Sequence, residues 1–274
     1  VSERSRPGRA ELGDVIERAL DEDHEPPFSD HALAGLAAGT RQLVSIDAPA
    51  VAILGDGEAE LVVDPAHRRR GLGSRLLDHV VELSPGPLLV WSHGDHPGAR
   101  SLAASRGFVA VREVLQLRAP VDPAAAHAVD ERISPFRDRA DAEDWVALNA
   151  LAFAGHPEQG RVSLDDFDVL TANEWFDPDD LFLLRDASGE LLGSCWLKID
   201  DGLGEFYVVG VDPRLHGRGL GRSLVAAGMA HLAARGIRTA SLYVDGGNAA
   251  ALALYRAFGF ERHAIDIQYS RRGM

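Results

Sequence analysis

"VDPAHRRRGLGSRL" at residues 63–76 and "VDPRLHGRGLGRSL" at residues 211–224 carry V-D-P and R-G-L-G at one spacing, with Gly71 and Gly219 equivalent across an offset of 148 positions. Each stretch follows a β-branched run and leads into an apolar helix pattern, so each reads as a strand-to-helix corner. Domains commonly run about 100–150 residues, so a corner repeated at this period in 274 residues points to two copies of one fold. The residue types say what such a corner can hold. A helix N-terminus offers unpaired backbone N–H groups and about half a positive charge. Glycine lets a phosphate approach those donors without a β-carbon in the way, and Arg218 and Arg222 add countercharge at the rim. Two familiar phosphate loops do not fit. A Walker loop needs lysine where Arg222 follows Gly221, and a dinucleotide fingerprint needs glycine where Leu224 stands.

The bulk numbers narrow the partners. Apolar residues make up 46% and charged residues 26%, as in ordinary globular protein. Lysine and arginine number 28 against 42 acids, a formal charge of −14. That balance disfavours nucleic acid and anionic membrane and makes the arginine-rich corners local anion sites. The single cysteine, Cys195, has no partner for an internal disulfide, and no Cys/His spacing suggests a metal. The N-terminal residues lack the apolar core of a secretory signal, and no run approaches the roughly 18 apolar residues of a membrane span. A cytoplasmic protein without metal, membrane or nucleic-acid partner is expected, working as a monomer.

Along the chain the pattern is a mixed α/β one. Residues 11–20 have helical spacing, and "SDHALAGLAAG" is a helix capped by Ser29 or Asp30. Short strands at "RQLVSID", "AVAILGD" and "EAELVVD" precede the first corner and its helix. Strand "PLLVW", helix "PGARSLAASRGF" and strand "VAVREVLQLRA" follow. "PVDPAAAHAVDE" reads as a linker, which places a first domain over 1–119, the linker over 120–131 and a second domain over 132–274. The second half repeats the order: a strand at "RISPFR", helix "DAEDWVALNALAF", a polar stretch through "GHPEQGRVSLDDF", and strands "LFLLRDA", "LLGSCWLKID" and "GEFYVVGVD". The second corner and helix, strand "RTASLYVD", helix "NAAALALYRAFGF" and strand "ERHAIDIQYS" complete it. Each half is a mixed sheet with helices on its faces.

The strand ending in V-D-P, the R-G-x-G corner, its helix and the later Asn–helix–Tyr–Gly-Phe close resemble the Gcn5-related N-acetyltransferase (GNAT) family. The resemblance implies tandem acyl-CoA N-acyltransferase domains and acetyl-CoA as co-substrate. By that likeness Val209, Gly210, Val211, His216, Gly217, Arg218, Gly219, Leu220, Gly221, Arg222 and Asn248 would hold acetyl-CoA. Leu61, Val62, Val63, Arg69, Arg70, Gly71, Leu72, Gly73 and Ser74 would be the first-domain counterparts.

Acetyl transfer needs a base for the ammonium, a donor for the thioester oxygen and an acid for the thiolate. Glu205 begins "GEFYVVGVD", where strand alternation would put Glu205, Tyr207 and Val209 on one face. Tyr255 stands four residues before Gly259, where the family often holds its acid. Counted from the first corner, the matching positions are Gly57 and Ala103; Glu58 and Glu60 lie close by, where a one- or two-residue bulge could supply a base, but nothing supplies the tyrosine, so the first half is expected to be inactive. "AFAGHPEQG", "WLK" and "LYVDGGNAAALALYRAFGF" resemble the tandem branch of the family that acetylates the cysteinyl amine of a cysteine–glucosamine–inositol conjugate. That branch implies Asp30, Glu158, Lys198, Glu205 and Tyr243 as substrate contacts, suited to a polyhydroxylated acceptor. Other amine acceptors on the same fold, or an acyl-CoA-binding module without catalysis, stay open at this point.

Overall fold

The computed structural model describes residues 9–47, 49–123, 130–155, 159–200 and 202–271, and the chain divides into two compact units. In the first, helices α1 (Arg9–Asp23) and α2 (Asp30–Ala38) precede strands β1 (Gln42–Asp47), β2 (Ala50–Gly55) and β3 (Glu58–Val63). Helix α3 (Leu72–Leu83), β4 (Leu89–Ser92), α4 (Pro97–Ser105) and β5 (Phe108–Pro120) follow; β5 gives residues 108–115 to the first unit and 116–120 to the second. Alternation along the buried strand β2 sorts its side chains between two cores. Val51 and Ile53 pack with Leu12, Val15, Phe28 and Ala32 of the α1–α2 side. Ala52 and Leu54 pack with Leu76, Leu77 and Val80 of α3.

The second unit holds β6 (Ile133–Pro135), α5 (Arg139–Ala152), α6 (Leu164–Thr171), β7 (Leu181–Arg185), β8 (Leu191–Asp200), β9 (Leu203–Val211), α7 (Leu220–Ala234), β10 (Thr239–Asp245) and α8 (Ala249–Arg256). Its strands run β10-β9-β8-β7-β6, parallel at the first step and antiparallel after it. Trp145 of α5, Phe167 of α6 and Trp196 of β8 meet on one face with ring centroids 5.1–5.4 Å apart. On the other face α7 lies close to the sheet through glycine. A Cβ at Gly228 would come within 2.5 Å of Phe206, and one at Gly204 within 2.3 Å of Leu232. No helix among the described residues is long and apolar enough to cross a membrane.

One expectation changes. The polar stretch after α5 contains α6, closed by a capping box in which Ser163 and Asp166 satisfy each other's backbone N–H; its S-x-x-D signal was present in the sequence. The two compact units are made of discontinuous stretches of chain. Residues 264–271 and Asp245–Gly247 belong to the first unit. The last strand, β11 (Glu261–Arg271), pairs antiparallel with β4, Ile267 opposite Ser92 and Tyr269 opposite Val90. Ile267 and Tyr269 then complete the first core. Of the expected linker, residues 124–129 lie outside the described residues, and Val121 N donates to Arg238 O within the second unit.

Truncating Ile267 to Ala is expected to cost about 2–5 kcal/mol. Amide exchange should quicken in β2 and α3 and stay as it was in β8 and β9. Equal loosening of both sets would contradict the place of β11 in the first unit.

Candidate active site

The repeated corners fold alike because each residue has a local task. Asp64 and Asp212, both buried, accept from the N–H two residues on, Ala66 at 2.9 Å and Arg214 at 2.8 Å. Pro65 and Pro213 then open 3₁₀ turns over Pro65–His67 and Pro213–Leu215. Gly71 and Gly219 are the N-caps of α3 and α7, left-handed at φ 79° and 82°. A side chain there would meet nothing within 4 Å but would be strained by the backbone. The second glycine of R-G-L-G serves packing: a Cβ at Gly221 would lie 3.3 Å from Leu254, and one at Gly73 3.5 Å from Leu102. The first-turn N–H groups of Leu220, Gly221 and Arg222, and of Leu72, Gly73 and Ser74, have no partner within their helices. These open donors at glycine-capped termini suit a diphosphate. Arg218 and Arg222 are exposed at the rim, with Arg222 5.3 Å over the Phe258 ring, while His216 Nε2 turns back to Val211 O at 3.2 Å.

Upstream of the second corner, β9 and β10 run parallel for three pairs, ending at Glu205 opposite Ser241. Beyond that pair, through Val209, Gly210 and Val211, β9 has no register partner on β10. On its other edge β9 pairs with β8, with Lys198 opposite Glu205, Leu197 opposite Phe206 and Trp196 opposite Val208. Tyr207 is the extra residue of a β-bulge, which bends the strand and re-aims its groups. The bulge also corrects the expected alternation. Cross-strand partners share a face, so Glu205 and Tyr207 stay with Lys198 and Trp196, while Val209 follows Cys195 toward α7.

Lys198, Glu205 and Tyr207 therefore share one face of the sheet. Trp175, not singled out from the sequence, joins them: Lys198 Nζ stands 5.5 Å over its ring, and its centroid lies 5.3 Å from that of Tyr207. Burial raises the Tyr207 hydroxyl above its usual range, and the Glu205 charge adds to this. Tyr255, on α8, is buried against Phe260. Burial, with the nearby buried thiol of Cys195, holds its hydroxyl far above the usual range, so it stays protonated. Asn248 caps α8, accepting from Ala251 N at 3.0 Å. Tyr243 is exposed and accepts from Gln116 Nε2 at 2.8 Å. Asp30 lies in the first unit, exposed in the first turn of α2. Glu158 lies outside the described residues; the turn after it is anchored by Asn149 Nδ2 donating to Gln159 O at 2.5 Å.

The first unit repeats the parting of strands, and here register overrules counting from the corner. β3 and β4 pair in parallel until Glu60 meets Trp91, so Glu60, rather than Gly57, is the register partner of Glu205. It is already committed. Its carboxylate accepts from Ser29 N and Ser29 Oγ, both at 2.7 Å, and lies 3.2 Å from His93 Nε2. His93 Nδ1 in turn lies 3.2 Å from Asp266. Burial alone would raise the Glu60 carboxyl, but His93 and Ser29 outweigh it and hold it below its usual range. Burial likewise opposes charge on His93, yet Asp266 and Glu60 lift it to about 10. Glu58 is engaged by Arg41 and Gln268, and Ala103 brings no hydroxyl where the second unit has Tyr255. A cavity of about 510 Å³ remains beside this cluster, lined by Leu61, Val63, Arg69, Gly71 and Ser74 among others.

The sequence pattern of the acetyltransferase (GNAT) family matches twice, over residues 15–108 and 144–260. The chain belongs to that family. It is thus an acetyl-CoA-dependent N-acetyltransferase in tandem form. It is 50% identical to the mycothiol acetyltransferase of Clavibacter michiganensis, over 96% of this chain and 90% of that one. With the mycothiol acetyltransferase of Thermobispora bispora it shares 40% identity over 99% of each chain. Among solved structures it shares the fold of a tandem GNAT protein from the clavulanic acid biosynthesis pathway, with 17% identity, a TM-score of 0.68, and coverage of 97% of this chain and 94% of that one.

Two outcomes are expected of the GNAT scaffold. Gly219→Ala should lower stability by about 1–2 kcal/mol in urea unfolding, from backbone strain alone. The His93 cluster should leave a pH signature. Stability from a raised histidine is complete below its ordinary 6.5 and lost as pH climbs through about 10, whereas that from Glu60 is present above its ordinary 4.5 and lost in acid. The gap in unfolding midpoint between wild type and His93→Gln should therefore be widest between pH 4.5 and 6.5 and shrink toward pH 10.

Proposed function

We propose that the chain is a mycothiol acetyltransferase, moving acetyl from acetyl-CoA to the cysteinyl amine of desacetylmycothiol, the cysteine–glucosamine–inositol conjugate, in the last step of mycothiol formation. Likeness at 50% identity across both units to an enzyme of that name carries the reading. The second unit adds its chemistry. Glycine-capped N–H groups at Gly219, Leu220, Gly221 and Arg222 bind the diphosphate, and the open edge at Val209, Gly210 and Val211 takes the pantetheine arm. Asn248 flanks that arm. In the first unit, Leu61, Val62 and Val63 with Arg69, Arg70, Gly71, Leu72, Gly73 and Ser74 hold acyl-CoA in the same way without turnover.

Glu205 takes a proton from the substrate ammonium, directly or through water. The freed amine attacks the thioester carbon, and a backbone N–H near Val209 receives the developing oxyanion. As the C–N bond forms and the C–S bond breaks, the buried Tyr255 hydroxyl gives its proton to the departing thiolate. The second proton of the attacking amine passes to the tyrosinate, so the products are the amide and free CoA thiol, and Glu205 releases the first proton to solvent. Lys198, Tyr243, Glu158 and Asp30 hydrogen-bond the acceptor's hydroxyl groups. The enzyme works as a cytoplasmic monomer, and its acidic balance keeps nucleic acid away.

Mass spectrometry of the protein with acetyl-CoA and desacetylmycothiol should show one acetyl added to the conjugate, in preference to polyamine, aminoglycoside and peptide N-terminal acceptors. Preference for any of those would defeat the acceptor assignment; CoA binding without any acetylation would defeat the enzymatic one. Glu205→Gln should lower kcat by about 10²–10⁴-fold at neutral pH while CoA affinity holds. Tyr255→Phe should slow the same step, and an unchanged rate would remove that hydroxyl from the mechanism.

A further inference from the structure

We infer that Glu60, the first unit's register partner of the base Glu205, is a positioning residue for the acceptor: it clamps the N-terminus of α2 and so sets Asp30. The inference rests on the reading of Asp30 as an acceptor contact proposed above. Both carboxylate oxygens of Glu60 accept from Ser29, Oε2 from its N and Oε1 from its Oγ at 2.7 Å each. Ser29 is the N-cap of α2, its Oγ accepting from Ala32 N at 3.1 Å, and Asp30 is the next residue along the chain. A helix start held at both its main-chain and side-chain groups leaves the residue after it little freedom of direction.

The clamp has its own backing. His93 stands between Glu60 and Asp266 at 3.2 Å from each, and Asp266 also accepts from Gly94 N at 3.2 Å. One cation between two carboxylates makes burial of Glu60 tolerable, where an unpaired buried charge would not be. The negative cluster also lies at the positive end of the α2 dipole. His93 lines the first cavity, so the clamp touches the space where the first unit's own ligand would lie. A carboxylate at the parting of two strands serves as base where it faces an amine. Captured by Ser29 and His93 it cannot, and it serves the acceptor through a helix instead.

The test compares Asp30→Asn, Glu60→Gln, Ser29→Ala and Ser29→Thr in the full-length enzyme, each checked for native thermal unfolding. Loss of a hydrogen bond to a charged group should raise KM for the acceptor about tenfold in Glu60→Gln and Ser29→Ala. Their kcat and their KM for acetyl-CoA should stay near wild type, and Ser29→Thr, which keeps the hydroxyl cap, should restore acceptor KM. The Asp30→Asn/Glu60→Gln double variant should be no worse than Asp30→Asn, because both changes act through one contact. An unchanged KM in Asp30→Asn sinks the Asp30 contact and this inference with it. A raised KM there beside an unchanged one in Glu60→Gln, or additive losses in the double variant, overturns the positioning role alone. Amide exchange at Ala32 and Leu33, which requires no turnover, should quicken in Glu60→Gln, and unchanged protection overturns the clamp.

Discussion

Two parallel strands that hold together for three residue pairs and then part are the constraint from which the rest of each unit follows. Parallel pairing ends at Glu205 opposite Ser241 in one copy and at Glu60 opposite Trp91 in the other. An unpaired strand edge has to be satisfied, since buried backbone donors and acceptors without partners are costly. In the proposed function an extended amide-bearing ligand answers that demand. The corner that follows adds a helix N-terminus with unpaired first-turn N–H groups, capped at Gly219 and Gly71. Edge and helix start lie a few residues apart in sequence, so a short motif can build a site for a long ligand.

From this shared frame the two copies diverge through their side chains and not their backbones. In the second unit the carboxylate at the parting point lies beside Lys198, Trp175 and Tyr207, and a protonated tyrosine waits on α8. In the first, the carboxylate lies inside a closed ion cluster and the tyrosine has become Ala103. The two units therefore differ at both positions, one side chain lacking a hydroxyl and one carboxylate held by its neighbours.

What was legible in the sequence was what residue types decide locally. V-D-P and R-G-L-G fixed both corners because aspartate caps, proline starts a 3₁₀ turn, and glycine takes a left-handed cap, each within a few residues of the next. The strands and helices around them, and the face shared by Glu205 and Tyr207, followed from period alone. Long-range pairing was not legible. Nothing in "ERHAIDIQYS" says that it joins the first unit, since that depends on β4, which lies more than 160 positions upstream. Counting from the corner chose Gly57 over Glu60 because β3 leaves three residues between its parting point and the corner aspartate, whereas bulged β9 leaves six. Trp175 was missed for a similar reason: its loop has no period of its own, and only the fold brings it to Lys198.

The shorter strand helps to explain why the first copy could be captured. β3 has no bulge against β2, and Glu60 lies buried within reach of the α2 N-terminus and of His93, the residue after β4. Tyr207, the additional residue of β9, lies on the same face as Glu205 and faces Trp175. A bulge is thus worth more than a local irregularity. It adds Tyr207 to the face that carries Glu205, a side chain for which unbulged β3 has no counterpart.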